Sequence, residues 1–170
     1  MMSDSVKHKA VFFDRDGTLN VDTEYLCRIE DFRWIEGAVD AIRYCNDKGY
    51  LVIVVTNQSG VARGYFTEED VRRFHDWMNG ELGKQGARID AFYFCPHHPE
   101  GLVPEYAREC DCRKPAPGLV DRACREYSID RSASILIGDR ERDVQCAERA
   151  GVTGIYYRGG NLLETVRQYI

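Results

Sequence analysis

Two aspartates one residue apart, Asp14 and Asp16, follow the apolar run 10–13 and lead at once into Gly17-Thr18. Carboxylates this close repel each other unless something compensates them, and magnesium suits the task because it takes one or two carboxylates and keeps water and phosphate as its other ligands. A turn in which both acids cap backbone N–H groups is the plainer reading of the same residues. Thr56-Asn57 ends a second apolar run, 51–55, with a hydroxyl and an amide that can hold phosphoryl oxygens without competing as nucleophiles. Gly138-Asp139 ends a third, with Asp143 one helical turn on. Asp139 can complete a magnesium site, whereas Asp143 either joins it or sits favourably at a helix N-terminus. Arg113-Lys114-Pro115 places cations just before a helix, where they match the charge of a phosphate.

A second constellation is made of sulfur and nitrogen. The chain has seven cysteines, an odd number that, without a secretory leader, argues for reduced thiols. Cys95-Pro96-His97-His98 and Cys110-Asp111-Cys112 form a C-x-H and a C-x-C pair, enough for a closed tetrahedral zinc site in which either histidine supplies the nitrogen. Buried thiols beside two surface histidines are the alternative. Cys27, Cys45, Cys124 and Cys146 are scattered and receive no role; nor does His8, in a tail, or His75, inside a helix.

These residues need elements to position them. Short apolar or β-branched runs at 10–13, 51–56, 91–94, 134–137 and 154–157 read as strands, and the stretches between them carry helical periodicity. Ala38, Ala41, Ile42 and Cys45 share one helical face, and Val71, Phe74, Met78 and Leu82 another, which Thr67 caps and Gly86 can stop. Further helices fit 119–127, 143–150 and 162–169. Strands alternating with helices imply a parallel sheet covered on both faces, with its chemistry at the carboxyl ends of the strands. The three acid- or hydroxyl-bearing strand ends therefore belong to one edge. The one long irregular connection, 96–117, needs a function or a staple.

At 170 residues, with 44% hydrophobic and 30% charged residues and a net charge of -5, the chain suits one domain spanning 1–170. It lacks the basic excess that drives nucleic-acid binding. Residues 1–9 lack the apolar core of a signal peptide, and the run 51–55 is too short to span a bilayer. A cytoplasmic monomer without membrane contact is expected.

Asp14-Arg15-Asp16-Gly17-Thr18, Thr56-Asn57, Lys114, and Gly138-Asp139 with Asp143 together resemble the four motifs of the haloacid dehalogenase superfamily, in order and across most of the chain. The resemblance implies a Rossmann-like three-layer α/β sandwich whose first strand is central. Little chain separates Asp14 from Thr56, so no large cap domain fits, and a zinc-stapled loop at 95–112 is the main elaboration. It further implies a phosphomonoester hydrolase in which Asp14 is the nucleophile, Asp16 the acid and base, and Thr56, Asn57 and Lys114 hold the phosphoryl oxygens. Mg²⁺ would be bound by Asp14, Asp139 and the backbone carbonyl of Asp16. On this reading, loss of Lys114 should cost rate more than folding.

Within the superfamily, the segments 57–64, 95–99 and 110–115 are similar to the heptose bisphosphate phosphatases, and histidinol-phosphate phosphatases share the zinc motif. The family motif selects His97, so that zinc falls to Cys95, His97, Cys110 and Cys112. The long stretch from His98 to Glu109 favours the sugar substrate. The implied activity is removal of the 7-phosphate of D-glycero-D-manno-heptose 1,7-bisphosphate in ADP- or GDP-heptose precursor synthesis. Asp22, Thr23, Glu24, Tyr25, Gln58, Ser59 and Arg113 would join Thr56, Asn57 and Lys114 around the phosphosugar. Histidinol phosphate is the alternative substrate, since Asp22 and Glu24 could attract its amine. A catalytically inactive zinc-bearing interaction module is a third reading. Arg140 departs from the pattern, because many relatives carry lysine there.

Overall fold

A computed structural model describes residues 5–170; the part of the N-terminal reading that rests on residues 1–4 lies outside them. Five strands form one parallel sheet: β1 (Ala10–Phe13), β2 (Leu51–Asn57), β3 (Ala91–Cys95), β4 (Ile135–Gly138) and β5 (Thr153–Tyr156), in the order β3-β2-β1-β4-β5. Between and after them run α1 (Ala38–Asp47), α2 (Glu68–Gly83), α3 (Gly118–Glu126), α4 (Glu141–Ala150) and α5 (Leu162–Arg167). The first strand is central, as the resemblance implies.

Side chains alternate across a strand, so each strand feeds two cores. Val11, Phe13, Val52, Val54, Ile135 and Ile137 pack with Ala41 and Ile42 of α1 and with Leu162 and Val166 of α5. Ala10, Phe12, Ile53, Val55 and Leu136 pack on the other face with Val120 and Ala123 of α3 and Ala147 of α4. Both faces are buried, which explains the unbroken apolar runs. Phe12 and Phe13 are fully buried, and truncating either to alanine is worth about 3–5 kcal/mol.

The caps also follow from the residues present. Thr67 Oγ1 accepts from Asp70 N at 3.1 Å and Asp70 Oδ2 accepts from Thr67 N at 2.9 Å, a reciprocal pair that starts α2. The helix ends at Gly83, and Gly86, at φ 70°, turns the chain after it. His8 is no free tail: its N–H donates to Ser128 O and its carbonyl accepts from Asp130 N, tying the chain to the α3–β4 connection. The β1–α1 connection contains a single 3-10 turn, Ile29–Asp31, so nothing the size of a cap domain covers the strand ends among the described residues.

Candidate active site

Because β1, β2 and β4 are neighbours, their carboxyl ends converge. Asp14 N donates to Ile137 O at 3.0 Å, extending the ladder one step past the strand. The chain then turns sharply: Arg15 O accepts from the N–H groups of Thr18, Leu19 and Asn20. Gly17 has φ 89°, and a Cβ there would lie 2.2 Å from Asp139 Oδ2. Only glycine lets the first and fourth motifs approach this closely.

Behind Asp14 lies Lys114, which is 1% exposed. Its Nζ donates to Asp14 Oδ1 at 2.7 Å, to Asp143 Oδ1 at 2.7 Å and to Val55 O at 2.8 Å. Losing Lys114 should therefore carry a folding cost beside the expected loss of rate, because removing a buried partner strands two acids in the interior. Burial pushes the Asp14 carboxyl up to about 8 against the pull of Lys114, with the charges of Asp143 and Asp16 adding to the rise. Burial pulls Lys114 down, but the combined attraction and hydrogen bonds of Asp14 and Asp143 outweigh it and raise Lys114 above its ordinary value.

Of the two roles the sequence left open, Asp143 takes the one at the helix start: its Oδ2 accepts from Arg140 N at the start of α4, at 3.1 Å, while its Oδ1 accepts from Lys114. Asp14, Asp139 and Asp143 bring carboxylate oxygens within 4.8 Å of one another, a hard donor set that suits Mg²⁺. With both oxygens of Asp143 engaged, Asp14 and Asp139 are the better placed pair for a cation.

Asp16 is held from several sides. Arg15 Nε and NH2 donate to it at 3.1 and 3.2 Å, Asn20 Nδ2 at 3.0 Å and Gln58 Nε2 at 3.0 Å. Gln58 Nε2 also donates to Thr56 Oγ1 at 2.9 Å, so this side chain braces the site where a substrate contact was expected. Asn57 differs similarly: its Oδ1 accepts from Lys114 N at 2.9 Å and its Nδ2 donates to Lys114 O at 3.2 Å. Its amide is committed to the loop that carries the lysine, and the residue also lines the cleft.

The cleft above, of about 270 Å³, is lined by Asp14, Asp16, Asp22, Glu24, Tyr25, Thr56 and 57–60, together with Arg140 and Arg142. Thr23 is exposed and does not line it. Asp22 is partly neutralised by Arg140 at 3.7 Å. Glu24 and Tyr25 have φ of 55° and 51°, a conformation that costs side-chain-bearing residues about 1–2 kcal/mol each. Arg113 is half-buried; burial pushes it below its ordinary value, and the like charges of Arg142 and Arg63 add to the effect. Arg113 NH1 and Arg63 Nε are buried donors without a partner. Sequence reading gave no role to Arg142 or Arg15 and noted Arg140 only as a departure from the pattern, although an arginine wedged between two acids after a buried strand was a usable signal.

The thiol loop forms the second cluster. Cys95, His97, Cys110 and Cys112 offer four donor atoms within 4.8 Å of one another. The Sγ–Sγ distances are 3.0 to 3.5 Å, and His97 Nδ1 is 3.4 Å from Cys112 Sγ and 3.6 Å from Cys95 Sγ. His98 points elsewhere, with Nδ1 accepting from Glu100 N and Nε2 3.5 Å from Arg63. Contact with Cys95 draws the Cys112 thiol down to about 5, whereas that contact and burial push Cys95 up. Three sulfurs and one imidazole nitrogen in this closed arrangement fit zinc. Of the four cysteines given no role, Cys45, Cys124 and Cys146 are buried and Cys27 is exposed.

A five-stranded parallel sheet with acids at the ends of its first and fourth strands, and a lysine behind the first, defines a haloacid dehalogenase-like hydrolase. The HAD-hydrolase-like family model matches residues 111–168. The chain is 46% identical over 157 residues to the D-glycero-beta-D-manno-heptose-1,7-bisphosphate 7-phosphatase of Haemophilus ducreyi, covering 91% of this chain and 86% of that protein. It is 43% identical to the enzyme of the same name from Rhodopseudomonas palustris, covering 100% and 94%. The structure of D,D-heptose 1,7-bisphosphate phosphatase from B. bronchiseptica, complexed with magnesium and phosphate, superposes with a TM-score of 0.79 at 33% identity, covering 94% of this chain and 86% of that one. The chain belongs to the heptose-bisphosphate phosphatase family of HAD-like hydrolases and is a phosphatase.

Proposed function

We propose that this chain, acting as one catalytic domain over 1–170, removes the 7-phosphate of D-glycero-D-manno-heptose 1,7-bisphosphate through a phospho-aspartate on Asp14. The observation that carries the reading is the Asp14 carboxylate, set at the end of the central strand and facing a cleft rimmed by arginines. Asp14 attacks phosphorus as the ester oxygen departs with a proton from Asp16. Asp16 then takes a proton from the water that cleaves the aspartyl phosphate, releasing inorganic phosphate. Thr56, the backbone at Asn57 and Ser59, and Lys114 supply the polar groups and positive charge that a loose phosphoryl transition state needs.

Asp14, Asp139 and the backbone carbonyl of Asp16 would hold Mg²⁺, which neutralises charge on the phosphoryl group. Cys95, His97, Cys110 and Cys112 would hold structural zinc and fix the loop that carries Arg113 and Lys114.

The cations that line the cleft, Arg140 and Arg142, favour a substrate with a second phosphate over the amine of histidinol phosphate. Asp22, the acid best able to attract an amine, already faces Arg140. Such a substrate places the reaction in cytoplasmic heptose-nucleotide precursor synthesis. No helix among the described residues is long and apolar enough to cross a membrane.

Phosphorus NMR of the heptose bisphosphate and of histidinol phosphate, each with enzyme and Mg²⁺, tests the reading. Selective loss of the 7-phosphate signal is expected. Faster turnover of histidinol phosphate would leave the chemistry standing and overturn the substrate.

A further inference from the structure

His75, on α2, is 3% exposed and lies on the apolar face formed by Val71, Phe74, Met78 and Leu82. Its ring stacks on Phe92 of β3, with centroids 4.3 Å apart and planes 13° apart, and Phe94 meets its edge. A phenylalanine would fill that space at lower cost, because a buried imidazole needs hydrogen-bond partners. The partner here is Arg15, whose NH1 is 3.1 Å from His75 Nε2. Arginine has only donors, so Nε2 must accept and the ring proton sits on Nδ1. Burial, and then the charge of Arg15, hold His75 well below its ordinary value, which keeps that lone pair free.

Arg15 is 1% exposed, and its guanidinium lies 5.1 Å from the Phe74 ring. Its Nε and NH2 edge meets Asp16, while NH2 also reaches Leu26 O and Gln58 Oε1, each at 3.4 Å. The guanidinium is a rigid plane, so an acceptor that fixes NH1 also fixes the two N–H groups presented to Asp16.

We propose that His75 is a positioning residue for the Asp16 carboxylate, acting through the Arg15 guanidinium. The inference rests on the phosphatase reaction above, with Asp16 as proton donor to the leaving oxygen. Without an acceptor at position 75, NH1 is left buried and unpaired, the plane turns to find another partner, and Asp16 loses its alignment. Misalignment matters most when the leaving group is an alkoxide that needs the proton, and little when it is a nitrophenolate that departs without one.

The test compares kcat/KM for heptose bisphosphate and for p-nitrophenyl phosphate in wild type, His75→Phe and His75→Gln, with unfolding temperatures alongside. His75→Phe keeps the stack and removes the acceptor; His75→Gln keeps an acceptor and removes the stack. For His75→Phe we expect a loss of roughly tenfold or more on the sugar ester and less than about twofold on the aryl ester, with His75→Gln within about threefold of wild type on both. Equal losses on the two esters, no loss in His75→Phe, or no recovery in His75→Gln would overturn the inference alone. A wild type inactive on both esters would overturn the proposed reaction and this inference with it.

Discussion

The acid edge and the thiol loop are both clusters of metal-ligating side chains, but they are held in place by different means. Asp14 and Asp139 extend strands whose neighbours are fixed by parallel pairing and by two buried cores. Their approach is set by backbone geometry, down to the glycine that admits Asp139, and Lys114 supplies positive charge from within the protein. The thiol cluster sits in 22 residues, 96–117, that contain no helix or strand, apart from Cys95 at the end of β3. Acids that must change charge during a reaction gain from a rigid frame, whereas a loop without a core gains from a bound metal.

The comparison breaks most visibly at the nucleophile. Asp14→Asn should lower phosphate release by roughly 10⁴-fold while circular dichroism stays native-like, because an amide of nearly the same shape leaves the strand frame in place. Retained turnover would remove Asp14 from the role given to it.

Lys114→Met is expected to destabilise the protein by about 3–5 kcal/mol in urea titrations, besides abolishing turnover, because it leaves Asp14 and Asp143 buried without their cation. A variant that unfolds at the wild-type midpoint would show that the lysine is not part of the frame.

Cys112→Ser tests the other region. Metal analysis should show zinc falling from one per chain toward none, and limited proteolysis should cut within 96–117, while the sheet unfolds within a few degrees of wild type. Collapse of the whole fold would erase the distinction between the two regions.

A further effect is a slope. Because the Asp14 carboxyl is raised from its unfolded value of 3.8 to about 8, the folded state holds a proton that the unfolded state has lost between those values. Its contribution to the stability of metal-free protein is therefore fully present below about pH 4 and fades as pH rises through 8. Asp14→Asn should lack that component, and Mg²⁺ should flatten it in wild type. Identical pH profiles for metal-free wild type and variant would contradict the raised value.

Much of the acid edge was legible beforehand for a simple reason. Strands buried on both faces must be continuously apolar, so Asp14, Thr56 and Asp139 stand out as the polar residues that interrupt those runs, and parallel topology sends them to one edge. The thiol ligands were legible as residue types at close spacing; the family motif selected His97, and the structure turns it, not His98, toward the sulfurs. The contact of His75 with Arg15 was not legible, because helical periodicity marks a buried position without naming the neighbour that faces it. Asn57 and Gln58 were legible as strand-end amides at the cleft, but not the bonds that tie their side chains to Lys114 and to Asp16 and Thr56.

What the sequence determined by itself is local: which runs are strands, where helices start, and which carboxylates and thiols exist to do chemistry. Periodicity and capping act over a few residues and need no partner from elsewhere in the chain. Which donors meet which acceptors was decided by the tertiary structure. Lys114 reaches Asp14 across 100 positions and Arg15 reaches His75 across 60, and such contacts follow from packing two faces of one sheet, which no local pattern encodes.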